Sequence, residues 1–145
     1  MSHPSAITLS TARAVARKCF EAARERGAAV TVAITDNAGF LVLLERSDNA
    51  SLASIAMSHA KARTAALYRT STKALFDRVT AGQIVPPLPD LVAAAGGAPL
   101  LAGSHAVGAI GVSGSSADND EAVAQVAVAE VQRLGASEAD RADRG

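Results

Sequence analysis

The chain has 145 residues, with 14 lysines and arginines balanced by 14 aspartates and glutamates, so no broad field recommends nucleic acid or a membrane surface as partner. Apolar residues make up 49% and aromatics only 3%, which gives one core of Ala, Val, Leu and Ile and few platforms on which single-stranded nucleic acid could stack. The single cysteine, Cys19, excludes an internal disulfide, no Cys/His spacing fits zinc, and neither a leader-like segment nor a long apolar run is seen, so the expected location is cytoplasmic, with no metal.

From Thr8 to Gly27, Ala12, Val15, Ala16, Cys19, Phe20 and Ala23 recur at helical spacing, predicting an amphipathic helix capped by Ser10 and stopped by Gly27. Cys19 falls on its buried face. The stretches Val30–Asp36 and Phe40–Arg46, with turn residues between them, predict a β-hairpin. Its second strand is apolar on both faces and is expected to be the more central. Ser51 is placed to cap a second helix over Leu52–Tyr68, where small residues are so frequent that a neighbour must pack closely. A third helix starts at Thr70-Ser71-Thr72 and ends near Gly82. Pro86, Pro87 and Pro89 make the next segment an extended loop, a lid or an oligomer contact. Gly96-Gly97 is read as a hairpin turn, followed by strands at Leu100-Leu101 and Ala106–Val112 joined through Gly103-Ser104-His105. A last helix runs from about Asp118 to Leu134. The expected organisation is one domain over residues 1–135 and a flexible tail over 136–145. The order predicts an α+β fold with a mainly antiparallel sheet, helices on one side, and oligomerisation covering the other.

The chemistry-bearing stretch is VGAIGVSGSSADNDEAVA, with Gly108, Gly111 and Gly114 at every third position. It is not the G-x-G-x-x-G of a dinucleotide fold and has no Gly-Lys-Ser/Thr of a phosphate loop. Position 115 is serine, so it is not a G-x-S-x-G elbow either. What remains is a strand whose missing side chains permit close approach by a backbone or flat ligand, followed by a helix N-terminus. That end could take an anion or be capped by Ser115, Ser116 or Asp118. His59 and Arg63 share a helix face at i, i+4, whereas Lys61 cannot point the same way as His59. Asp36, Arg46 and Asp48 cluster at the ends of the first hairpin.

Taken together, VTVAITDNAGFLVLLERSDNA, HAKARTAALYRTSTKAL, AAGGAPL and the glycine stretch resemble the GlcG/HbpS family of small haem-binding-like proteins, also found as the C-terminal domain of PduO-type proteins. The resemblance runs from about residue 8 to 132. It implies an antiparallel, about five-stranded, profilin-like sheet with flanking helices, and assembly into dimers or larger rings such as octamers. The family's motif residues fall on Lys61, Thr72, Gly96, Gly97 and Asp120. Ser115 stands where the glycine loop is normally bare.

The function implied is binding of a small ligand, with haem or another tetrapyrrole as cofactor and His59 or His105 as axial ligand. Ser113, Gly114, Ser115, Asp120 and Thr72 are the expected ligand contacts. An alternative is a cofactor-independent isomerase, tautomerase or cyclase acting on a small oxygenated metabolite. There Lys61 or His59 would move a proton, Arg46 would hold a carboxylate or pair with Asp48, and the glycine loop would stabilise an oxyanion. A third reading is an oligomeric accessory protein that uses the proline loop as its contact.

Overall fold

The computed structural model describes residues 6–84 and 91–144, with side chains as far as residue 135. The order is α1 (Leu9–Glu25), β1 (Thr31–Thr35), β2 (Leu41–Arg46), α2 (Ala53–Tyr68), α3 (Thr72–Thr80), β3 (Gly97–Ala102), β4 (His105–Ser113) and α4 (Ala117–Arg144). The proline loop lies outside the described residues. Among those described there are four strands, in the order β2-β1-β4-β3, and every pairing is antiparallel.

Local chemistry sets most boundaries. Thr8, not Ser10, caps α1, accepting the Thr11 amide at 3.1 Å. Beyond the end of that helix, Gly27 takes the left-handed φ of 65° that L side chains resist. In the first hairpin Asp36 Oδ1 accepts from the amides of Ala38 (2.9 Å) and Phe40 (3.0 Å), a local turn that fixes the register. Ser71 caps α3 by accepting the Ala74 amide. Ser51 does not cap α2. The cap position is Leu52, already in helical geometry and making no side-chain cap bond. Gly96-Gly97 is not a hairpin turn: Gly97 opens β3, and the β3–β4 turn sits at Gly103-Ser104. The last helix continues to Arg144 through the segment expected to form a loose tail, one rich in the helix-forming residues Ala, Glu and Arg.

Two expectations about layering are overturned. β2 is an edge strand and β1 the internal one, buried at all five residues. The apolar run of β2 therefore marks something other than a central position. Helices also cover both faces of the sheet. On one face Val32, Ile34, Leu100, Ile110 and Val112 join Val15 and Cys19 of α1 and Val123, Ala127 and Val131 of α4 in one core. Full burial of a Val, Leu or Ile here is worth about 1.5–3 kcal/mol.

The other face is made of small and hydroxylated residues, and α2 lies directly on it. Thr31 Oγ1 shares a 2.7 Å hydrogen bond with Ser54 Oγ, and Ala109 packs with Ala65 and Ala66. At Gly111 a side chain could not be accommodated, because a β-carbon would come within 2.6 Å of the Ala62 amide and closer still to the Ser58 carbonyl. The small residues of α2 and Gly111 of β4 thus answer one another, as the density of alanines suggested. Gly108 turns the opposite way, towards Ile7, as strand alternation requires.

Candidate functional site

The family-type residues meet at one buried junction. Lys61 projects from the sheet-facing side of α2 and is only 4% exposed. Its Nζ donates to the Val112 carbonyl at 2.8 Å and to Asp120 Oδ2 at 3.3 Å. Asp120, on the first turn of α4, is itself buried, and its Oδ1 accepts the Ser115 amide at 3.1 Å. Burial pushes the Asp120 carboxyl above its ordinary range, and the Lys61 charge and the Ser115 amide pull it part of the way back.

Gly96 and Gly97 are glycines because of this junction. Gly96 has φ 122°, and a β-carbon on it would stand 3.0 Å from Lys61 Nζ and 3.2 Å from the Asp120 β-carbon. A β-carbon on Gly97 would collide with Thr72 and with the Lys61 carbonyl. Thr72 Oγ1 instead accepts the Gly97 amide at 2.8 Å, tying α3 to the start of β3. The Gly96 amide donates to Glu121 Oε1 at 3.1 Å, while its carbonyl accepts the Val112 amide. Among the described residues no buried side-chain nitrogen or oxygen lacks a hydrogen-bond partner.

The N-terminus of α4 supplies its own caps. Ser116 Oγ accepts the Asn119 amide at 3.1 Å, and Ser115 Oγ accepts from Asn119 Nδ2 at 3.0 Å. Of the ligand contacts expected from sequence, Ser115, Asp120 and Thr72 therefore all make internal hydrogen bonds. Ser113 ends β4 opposite Thr31, and Gly114 follows with φ 122°.

The remaining candidates are dispersed. His59 is half-buried on the outward side of α2, two residues and more than half a turn from Lys61. His105 is exposed beside the β3–β4 turn. Arg46 and Asp48 line an open cleft of about 480 Å³ between α1 and β2, and no ion pair joins them. The structure does not gather Lys61, His59, Arg46 and Asp48 into one cavity.

Sequence reasoning did not find Glu121, which no spacing relates to Gly96, although Ser116, which caps α4, stood among the three expected caps. It also passed over the outward row of α2. Leu52, Ile55, Ala56, His59 and Leu67 follow one another at i, i+3, i+4, i+7 and i+15, and all but the histidine are exposed. The signal was present, because a helix apolar on both sides has a second surface to cover.

A four-stranded antiparallel sheet held between α1/α4 and α2 places the chain in a class of small α+β domains with solved representatives. Klebsiella pneumoniae protein ORFY superposes with a TM-score of 0.83 at 28% identity, over 90% of this chain and 94% of that one. A PduOC–haem complex superposes with a TM-score of 0.79 at 28% identity, over 86% and 94%. Among curated sequences, protein GlcG of Escherichia coli K12 is 35% identical over 96 residues, 64% of this chain and 70% of GlcG. The family model described as haem-degrading protein HbpS-like matches residues 7–129. The chain belongs to the HbpS-like family, which includes GlcG-type relatives.

Proposed function

We propose that this protein binds haem or a closely related tetrapyrrole, with His59 as the axial ligand and the outward face of α2 as one wall of the site. The observation that carries the reading is the placement of that imidazole. It makes no hydrogen bond or ion pair among the described residues and sits in a row with Leu52, 79% exposed, Ile55 and Leu67.

Exposed apolar side chains flanking an imidazole match the chemistry of a porphyrin, whose faces are apolar and whose iron takes imidazole. Phe40, 69% exposed, follows Gly39, where a β-carbon would meet Arg63 and Ala66 of the same helix, and it adds an aromatic edge. His105, exposed at a turn, has no such surroundings. Likeness to a PduOC–haem complex supports the same class of ligand. One chain supplies one wall only, so the second is assigned to another copy of the chain, the homo-oligomer expected from the resemblance. Haem, when bound, supplies redox and gas-ligand chemistry. The residues of this chain bind and orient it and exclude water from one face.

Acid–base catalysis by Lys61 has less support. Its ammonium is turned into the α2–β4–α4 junction, away from His59, and is committed to Val112 and Asp120.

Haem titration of the purified chain tests the proposal. A Soret band displaced from that of free haem is expected for the wild type and for His105→Ala, with the displacement lost in His59→Ala. A free-haem spectrum in the presence of wild-type protein, or an unchanged Soret position in His59→Ala, overturns it.

A further inference from the structure

On the other side of the molecule, α1 and β2 form a surface that the ligand site does not use. We propose that the groove between α1 and the Glu45-Arg46 end of β2 receives an extended acidic segment of another protein, which adds to the sheet beside β2 on the edge that no described strand covers.

The first observation is charge. Arg13, Arg17 and Arg24 lie at i, i+4 and i+11 on an exposed stripe of α1. Three clefts follow one another along it. One, of about 500 Å³, lies beside Arg13 and Arg17. The next, about 380 Å³, runs from these past Phe20 to Arg24 and Glu45. The third, about 480 Å³, continues from Phe20 and Arg24 to Arg46. None of these four guanidinium groups makes a hydrogen bond or ion pair among the described residues, whereas Glu21 on the same helix is engaged by Lys18 at 3.9 Å. Unpaired guanidinium forks along one groove suit carboxylates, which they hold in bidentate fashion. Arg13 and Arg24 are about 16 Å apart along the helix axis, the span of about five residues of extended chain.

The second observation is the strand itself. Leu41-Val42-Leu43-Leu44 is apolar on both faces, the composition of a strand with two neighbours, yet among the described residues β2 has only β1 beside it. Its outer edge leaves alternate N–H and C=O groups open to a further strand.

A second copy is the wrong occupant. Pairing β2 with β2 across a two-fold axis would bring two α1 stripes, each carrying the same three arginines, alongside one another. Glu45 and Asp48 also stand in the groove, so a chain whose carboxylates alternate with uncharged residues suits it better than a polyphosphate, which carries charge at every step.

The test uses the full chain and an end-blocked peptide of about eight residues, labelled with fluorescein, in which glutamate alternates with valine and threonine. Fluorescence anisotropy is expected to show saturable binding that weakens at least about tenfold in the Arg17→Glu/Arg24→Glu variant. These side chains are exposed, and an unchanged melting temperature will show that the variant folds. Equal weakening is expected when lysine replaces glutamate, and when alternate peptide amides are N-methylated. The proposal is overturned by an absence of saturable binding up to about 1 mM. It is also overturned if the N-methylated peptide binds undiminished, or if a dodecathymidylate strand binds more tightly than the peptide.

Discussion

Replacing Gly111 by alanine adds one methyl group where β4 and α2 touch backbone to backbone. The new carbon would lie 2.6 Å from the Ala62 amide and nearer to the Ser58 carbonyl, so α2 must retreat by about 1.5 Å to restore ordinary contact distances. Overpacking of this kind costs about 1–3 kcal/mol. The upper end applies here, because the obstructing atoms are the main chain of a 16-residue helix and no rotamer change relieves them. The lower entropy of the unfolded alanine chain returns about 0.4–1 kcal/mol, leaving a net loss of about 2–2.6 kcal/mol. With a urea slope of about 2 kcal/mol/M, the midpoint should fall by about 1–1.3 M with the slope unchanged. Gly103→Ala is the control. That residue has φ 63° and open space around it, so it should lose only the left-handed penalty of about 1–2 kcal/mol. A Gly111 variant within about 0.2 M of the wild-type midpoint would refute the claim that glycine at 111 sets the seating of α2 on the sheet.

Lys61→Met strands the Asp120 carboxylate in a buried position and should cost about 3–5 kcal/mol in urea unfolding. Adding Asp120→Asn, which keeps an acceptor for the Ser115 amide without the charge, should recover part of that loss; a double variant no better than the single one tells against the pairing. Because burial raises the folded-state pKa of Asp120, its contribution is fully present below its ordinary value and is withdrawn as pH climbs through the raised one. The wild type should therefore lose stability relative to Asp120→Asn as pH rises from about 4, and parallel profiles would contradict this. Cys19 is fully buried, donates its thiol to the Val123 carbonyl at 3.8 Å, and has its pKa pushed up to about 12. At pH 8 its thiolate is about one part in ten thousand, so Ellman's reagent should leave the folded protein unmodified and take up one equivalent once urea is added.

Elements governed by near neighbours were legible in the sequence. The stripe of α1, the Asp36 turn and the Ser71 cap are each set by residues within a few positions, and they form as expected. The small residues of α2 correctly announced a close neighbour, though not that the neighbour would be Gly111. What failed was long-range. The hydrophobicity of β2 cannot distinguish a strand flanked on both sides from an edge strand with other uses. Gly96-Gly97 has the composition of a tight turn, yet it is glycine because Lys61 and Thr72, both more than 20 residues earlier, occupy the space a side chain would need. The site divided in the same way. Lys61, Thr72, Gly96, Gly97 and Asp120 were marked by family resemblance, and only the structure brings them to one junction, with Gly96 and Asp120 at the Lys61 ammonium and Thr72 bonded to Gly97. The lone His59 became informative once the direction it faces was known.

The pairing of β1 with both β2 and β4 has a consequence for how the chain is made. Its hairpin with β2 can close as soon as residue 46 has emerged. The ladder from Thr31 to Ser113, by contrast, spans roughly eighty residues. During translation the inner edge of the most buried strand must wait through α2, α3 and β3 before its partner leaves the ribosome. Native collapse is therefore a late event, since a long loop must close before those contacts repay it. A chain halted before β4 exposes an unpaired Val-Ala-Ile segment of the kind chaperones capture.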